Sequence, residues 1–341
     1  MHLYRGAGVR RLFALALALA GAPLLAAPRA ATLVNPLLPS GPDPWVIHHG
    51  GVFYYMATLG DRLAIRATRD LARLAEADEH IIWRPRPGTP NGRSIWAPEL
   101  HRIGGRWYIY YTAADSDHDD DAHRGVFVLE ARGQDPLTAH WTDRGRVNTR
   151  FPGIDGTTFK AGGRHYFVYS PYVGADSVLA IARMANPWTL KGREAIIARP
   201  DRAWERRGGR QILEGPAFLA GPRGDLFLSY SASACWSDDY ALGLLSASRG
   251  SDPLSPASWR KSPAPVFAKS PATGVVAPGH NGFFRAGGRT WIVYHANAAA
   301  GMGCTARRAP HVQAMGWSRN GRPVFPTPAA GRSPAPAAGH R

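Results

Sequence analysis

The sequence predicts an all-β chain folded as a five-bladed β-propeller. Three observations carry that prediction. One phrase recurs five times: a head residue, a short apolar strand, a glycine turn seven residues on, and an aromatic strand. The copies are DPWVIHHGGVFYYMAT headed by Asp43, APELHRIGGRWYIYYTA by Ala97, DGTTFKAGGRHYFVYS by Asp155, EGPAFLAGPRGDLFLSYS by Glu214 and HNGFFRAGGRTWIVYH by His280. The heads at 43, 97, 155, 214 and 280 are spaced by 54, 58, 59 and 66 residues. A period of that length with several strands per unit fits a propeller blade and not a helical solenoid. Finally, 38 glycines, 29 prolines and 11 tryptophans among 341 residues suit short strands and many turns, and no stretch beyond the N-terminus sustains an apolar 3.6-residue period.

In chain order, Arg5, Arg10 and Arg11 precede an apolar run over residues 12–20, and small residues follow. This reads as a signal peptide within residues 1–31, cut among the alanines between Ala26 and Ala31. The run is too short for a permanent membrane span, and the arginine pair also suits a twin-arginine route. A secreted or periplasmic protein is expected. The propeller then fills residues 32–328. Each unit opens with an inner hairpin, and later strands are expected at 63–68 (LAIRAT), 125–131 (GVFVLEA), 177–182 (SVLAIA) and 242–247 (LGLLSA). A strand near 313–317 completes the last blade. Residues 329–341, rich in Pro, Ala, Gly and Arg, read as a disordered tail.

The formal charge is +16, nearly all from arginine, since the chain has four lysines: Lys160, Lys191, Lys261 and Lys269. No basic run interleaves with aromatics as a nucleic-acid platform needs, so neither nucleic acid nor membrane is an expected partner, and the chain is expected to be a monomer. The two cysteines, Cys235 and Cys304, follow the aromatic strands of the fourth and fifth copies. In an exported protein such a pair is most simply one disulfide. The acidic run at 115–121 (DSDHDDD) lacks the glycine and closing glutamate of an EF-hand and reads as a solvated loop.

Five equivalent strands starting at one place bring their heads together. Asp43, Asp155, Glu214 and His280 then share one site. Glycosidic hydrolysis needs one carboxyl protonated, to give its proton to the leaving oxygen, and another ionised, to activate water or attack the sugar. A cluster of carboxylates supplies both states, because like charges raise one member's pKa.

With PDPWVI, SIWAPEL, GIDGTTF, ILEGPAF and PGHNGFF in place, the chain resembles glycoside hydrolase family 43 along most of its length. LEGPAF, SYSASACWSDDYALGLL and WIVYHANA are most similar to its exo-acting α-1,5-L-arabinofuranosidases. The resemblance implies an inverting enzyme that releases L-arabinose from arabinan or arabino-oligosaccharides, with Asp43 as base and Glu214 as acid. Asp155 would orient Glu214 and raise its pKa. Trp96, His280 and Arg308 would contact substrate. His311 stands where a second arginine is expected. No metal ligand set and no required cofactor are implied; a structural calcium ion near His280 in the central channel is the one option. The alternatives are an endo-arabinanase or β-xylosidase on the same site, or a non-catalytic sugar-binding propeller.

Overall fold

In the computed structural model the described residues are 1–3 and 32–337; the predicted signal peptide, apart from its first three residues, lies outside them. Five antiparallel sheets follow one another along the chain, each a meander of consecutive strands. Blade 1 is Trp45–His49, Val52–Met56, Leu63–Thr68 and Glu79–Trp83. Blade 2 is Arg93–Ile103, Arg106–Ala114, Gly125–Ala131 and Trp141–Arg146. Blade 3 is Gly153–Ala161, Arg164–Val173, Leu179–Asn186 and Thr189–Ala198. Blade 4 is Leu213–Ala220, Leu226–Ala232, Ala241–Ala247 and Arg260–Lys261. Blade 5 is Val276–Ala286, Arg289–Asn297, Ala309–Trp317 and Pro323–Val324. The five first strands touch one another in sequence and close a ring, the fifth against the first.

The aromatic strand of each repeat owes its composition to this stacking. It lies inside its sheet, so both of its faces are buried, and side chains alternate between them. In blade 2, Trp107, Ile109 and Tyr111 join the apolar cluster shared with blade 1, whereas Tyr108 and Tyr110 join the cluster shared with blade 3. One such cluster fills each of the five blade junctions.

The inner hairpins of blades 1, 2, 3 and 5 turn on Gly-Gly pairs with positive φ at both residues, for example 54° and 77° at Gly162 and Gly163. Two-residue turns of that kind need residues tolerating left-handed backbone, and they fix the register of the hairpin. Blade 4 departs from this. Ala220 pairs with Leu226, which leaves a five-residue turn that opens one position early.

Ring closure uses the segment before blade 1. Thr32–Asn35 pairs antiparallel with Gly331–Pro334. The Asn35 side chain donates to Val312 O and accepts from Val312 N, both at 2.9 Å, as a strand's backbone would. The tail expected to be disordered from 329 is therefore ordered over 331–334. Its arginine and proline do not prevent pairing, because a two-stranded ribbon leaves outer positions free for both. Residues 338–341 lie outside the described residues.

Candidate active site

Each first strand of blades 2 to 5 carries a bulge near its start, where two residues oppose one on the partner strand. The pairs flanking it are Trp96↔Thr112 and Glu99↔Tyr110 in blade 2, and Ile154↔Ser170 and Thr157↔Val168 in blade 3. In blade 4 they are Glu214↔Ser231 and Ala217↔Ser229, and in blade 5 Gly279↔His295 and Gly282↔Val293. By this register Ala97, Asp155 and His280 are matched by Gly215, and Glu214 sits one residue earlier, opposite the positions of Trp96 and Ile154. The expectation that Glu214 shares the head position is thus corrected. The early turn of blade 4 displaced a count taken backwards from the glycine.

Backbone torsions agree with the corrected register. Asp43, Ala97, Asp155, Gly215 and His280 have φ of 52°, 44°, 57°, 53° and 44°. Non-glycine residues persist in this left-handed region only where surroundings hold them. Here the hold is a side chain from the second strand of the preceding blade, or, for Thr58, from two residues past its end. Ala97 N donates to Thr58 Oγ1 (2.7 Å), Asp155 N to Thr112 Oγ1 (3.0 Å), His280 N to Ser231 Oγ (2.7 Å) and Asp43 N to His295 Nδ1 (3.0 Å). The fifth junction differs. Gly215 N donates to Asp155 Oδ2 at 2.9 Å, and the equivalent Ser170 hydroxyl is buried without a partner. Glycine is needed there for space as well, since a Cβ on Gly215 would lie 3.2 Å from the His280 ring.

The heads open into a cavity of about 440 Å³, lined by Asp43, Thr58, Trp96, Asp155, Glu214, His280 and Arg308, with Tyr172, Arg124, Arg210, Asp121 and Trp236 toward the rim. A larger cavity, about 610 Å³, lies at the turn end of blades 2 and 3 around Gly104 and Gly163. It holds no carboxylate and cannot supply an acid and a base.

Asp43 is buried among cations and dipoles. Its Oδ1 accepts from Arg308 Nη1 at 3.0 Å and lies 3.3 Å from His280 Nδ1, and its Oδ2 accepts from the Thr58 hydroxyl at 2.6 Å. Burial opposes ionisation, yet Arg308 and its neighbours outweigh burial and hold the carboxyl well below the usual carboxylate range. His295 contributes no charge. Burial and then Arg308 push it down to about 3, so it is neutral. Its Nδ1 accepts the Asp43 N–H, which leaves no proton there for Oδ1, 3.4 Å away.

Asp155 and Glu214 go the other way. Burial is the largest cause for both. Charge repulsion from Glu214 and then Asp43 adds to it at Asp155, which ends well above its ordinary value. Glu214 is raised to about 7 by burial; a hydrogen bond from Tyr240 opposes this, and Asp43 adds to it. Tyr240 Oη donates to Glu214 Oε1 at 2.7 Å. The two carboxyls titrate as a pair, because two buried neighbours do not both ionise readily. Asp155 also accepts from the Gly215 N–H, which ties it to the backbone beside Glu214.

Arg308 is directed at Asp43, while its neighbour Arg307 is exposed. His311 is buried in blade 5, stacked on Tyr294 and away from the cavity. Trp96 lines the cavity, with the Arg124 guanidinium 4.2 Å over its ring. The acidic run, expected to be a solvated loop, is in part engaged in ion pairs. Asp119 accepts from Ser94 and Arg124, and Asp121 pairs with Arg210, because arginines from neighbouring segments need counter-charges at the rim. Among the described residues no group of three or more His, Cys, Asp or Glu side chains could hold a metal ion. The surroundings of His280 do not fit calcium either. The ion takes six to eight oxygens, and Asp43, the carboxylate in contact with His280, is already held by Arg308.

One carboxyl held ionised and another held protonated face the same cavity, which is the equipment of glycosidic hydrolysis. The family model for glycosyl hydrolases family 43 matches residues 33–323. The chain belongs to that family. It is 38% identical over 336 residues to an extracellular exo-α-(1→5)-L-arabinofuranosidase of Streptomyces avermitilis, covering 94% of this chain and 69% of that protein. It is 40% identical over 281 residues to the enzyme of the same name from Streptomyces chartreusis, covering 80% and 84%. The crystal structure of an α-L-arabinofuranosidase from Lactobacillus brevis superposes with a TM-score of 0.81 at 32% identity, over 87% of this chain and 97% of that one. The five-bladed propeller is the fold of this family 43 chain, and glycoside hydrolysis is its class of reaction.

Sequence reasoning named Asp43, Asp155, Glu214, Trp96, His280 and Arg308, and all six line the one cavity. It missed Thr58, His295 and Tyr240. The first two were visible as the polar residue that ends the aromatic strand in every copy, seven residues after the second turn glycine. Tyr240 lies in a loop with no such regularity.

Proposed function

We propose that this chain is an exported exo-α-L-arabinofuranosidase that removes L-arabinose from α-1,5-linked arabinan or arabino-oligosaccharides with inversion. The observation that carries the reading is the opposed protonation of Asp43 and Glu214 across one cavity. Asp43 takes a proton from water as that water attacks the anomeric carbon. Glu214 gives its proton to the departing oxygen from the other side of the sugar. Asp155 fixes the backbone beside Glu214, and Arg308, His280 and Trp96 hold the sugar. The names of the Streptomyces relatives support the substrate, the exo action and the export. Residues 32–328 form the catalytic domain, acting as a monomer.

Exo action fits a cavity whose rim is tied across. Cys235 and Cys304 are joined by a disulfide, with Cα atoms 5.1 Å apart, and Asp121 is paired with Arg210. The deciding experiment is product analysis on linear arabinan. Arabinose alone at the earliest times is expected. A ladder of oligosaccharides would make the enzyme endo-acting, and binding without any product would make it a lectin.

Thr58 offers a further check. Its oxygen accepts the Ala97 N–H, so its own proton goes to Asp43. Thr58→Val removes a bond that favours ionised Asp43, so the acid limb of the pH profile should move up. It also leaves a buried N–H unpaired, costing about 1–3 kcal/mol of stability. Thr58→Ser should restore both. An unmoved acid limb with the stability loss would reduce Thr58 to a structural role.

A further inference from the structure

The loop between the second and third strands of blade 4, residues 233–240, does two things at once. At its end Tyr240 reaches down to Glu214. At its crest Trp236 stands at the rim of the same cavity with 49% of its surface exposed, unlike the buried tryptophans Trp107 and Trp291. Among the described residues it is the one exposed tryptophan, and it borders the cavity that holds the carboxyls.

Trp236 is also held in place. Its Nε1 donates to Gly208 O at 2.9 Å. Its neighbour Cys235 is bonded to Cys304 of the blade 5 loop. Asp238 accepts from Gly301 N at 3.0 Å in that same loop. Three ties within the stretch Cys235 to Asp238 fix an aromatic face at low remaining entropy, which is the arrangement that favours stacking on a ligand.

The side of the cavity is fixed by chemistry. The acid must lie next to the oxygen that departs, so the departing sugar sits on the Glu214 side, where this loop stands. We infer that Trp236 is the platform for the sugar unit on the leaving side of the scissile bond, an α-1,5-linked arabinose residue or a short run of them. The inference rests on the arabinofuranosidase reading above. The tie to Gly208 and the disulfide hold the ring; the sugar's apolar C–H face stacks on it.

The test compares Trp236→Ala, Trp236→Leu and Trp236→Phe with the wild type, using arabinobiose and arabinotriose as substrates and L-arabinose as product inhibitor. Alanine and leucine should each raise KM for both oligosaccharides about tenfold. Phenylalanine should stay within about threefold. The inhibition constant of L-arabinose, which fills only the inner site, should be unchanged in all three. Unchanged KM values in the alanine variant would overturn the inference. So would an arabinose inhibition constant rising in parallel with KM, because Trp236 would then shape the inner pocket or prop the loop. A wild type that releases no arabinose would instead overturn the functional reading itself. Thermal midpoints of the three variants separate lost contacts from lost folding.

Discussion

Asp43→Ala should lower turnover on arabinan by about 10²–10⁴ or more, because no group is left to take the proton from the attacking water. The loss should be as large on an activated aryl arabinofuranoside, since water must be activated whatever the leaving group. The surroundings of Asp43 add a second expectation. Its removal leaves Arg308, largely buried and directed at an empty space, with His280 beside it. A small anion should enter that space. Azide needs no base, so it should attack the anomeric carbon directly. The carbon–nitrogen bond forms as the carbon–oxygen bond breaks, and Glu214 protonates the departing oxygen. The product should be the inverted glycosyl azide, and the rate should rise with azide concentration. A retained-configuration azide, or no rescue together with normal folding, would remove Asp43 from the base role. Folding needs its own control, because an uncompensated buried guanidinium costs about 3–5 kcal/mol.

The five-bladed fold was legible because stacking blades imposes one chemical demand five times. Each second strand is buried on both faces, so FYYM, RWYIYY, HYFVYS, LFLSY and TWIVYH all read as aromatic strands. The Gly-Gly turns were legible for a similar reason, since left-handed backbone at two successive positions narrows the choice of residue. Register was harder. Four hairpins share a turn length and blade 4 does not, so Glu214 was assigned to the position that Gly215 occupies. The acid was still found, because a bulge lets adjacent residues both reach the axis. Of the rim, the Cys235–Cys304 bond was legible, since two cysteines in an exported chain pair most simply with each other; its polar ties were not. The pairing of Asp121 with Arg210 and the bond from Trp236 to Gly208 O join segments 89 and 28 residues apart, and no local pattern records such contacts.

Glu214→Ala should separate two kinds of substrate. On arabinan the departing group is a sugar alkoxide, and without a proton donor turnover should again fall by about 10²–10⁴ or more. A nitrophenolate leaves without protonation, so activity on the nitrophenyl arabinofuranoside should survive to a much greater degree. The pH profile supplies the sign. Glu214 must be protonated to act, and its raised pKa of about 7 places the fall in wild-type activity on the alkaline side of that value. With the aryl substrate and Glu214→Ala, that alkaline fall should vanish, because the group that lost its proton is gone. The acid limb should stay, since Asp43 still has to be ionised and its lowered pKa keeps it so down to low pH. Tyr240→Phe is the graded version. The Tyr240 hydroxyl favours ionised Glu214, so its removal should carry the alkaline limb to higher pH while both substrates remain active. Should Glu214→Ala lose both substrates equally while Asp43→Ala spares the aryl glycoside, the acid and base are exchanged, and water is activated from blade 4.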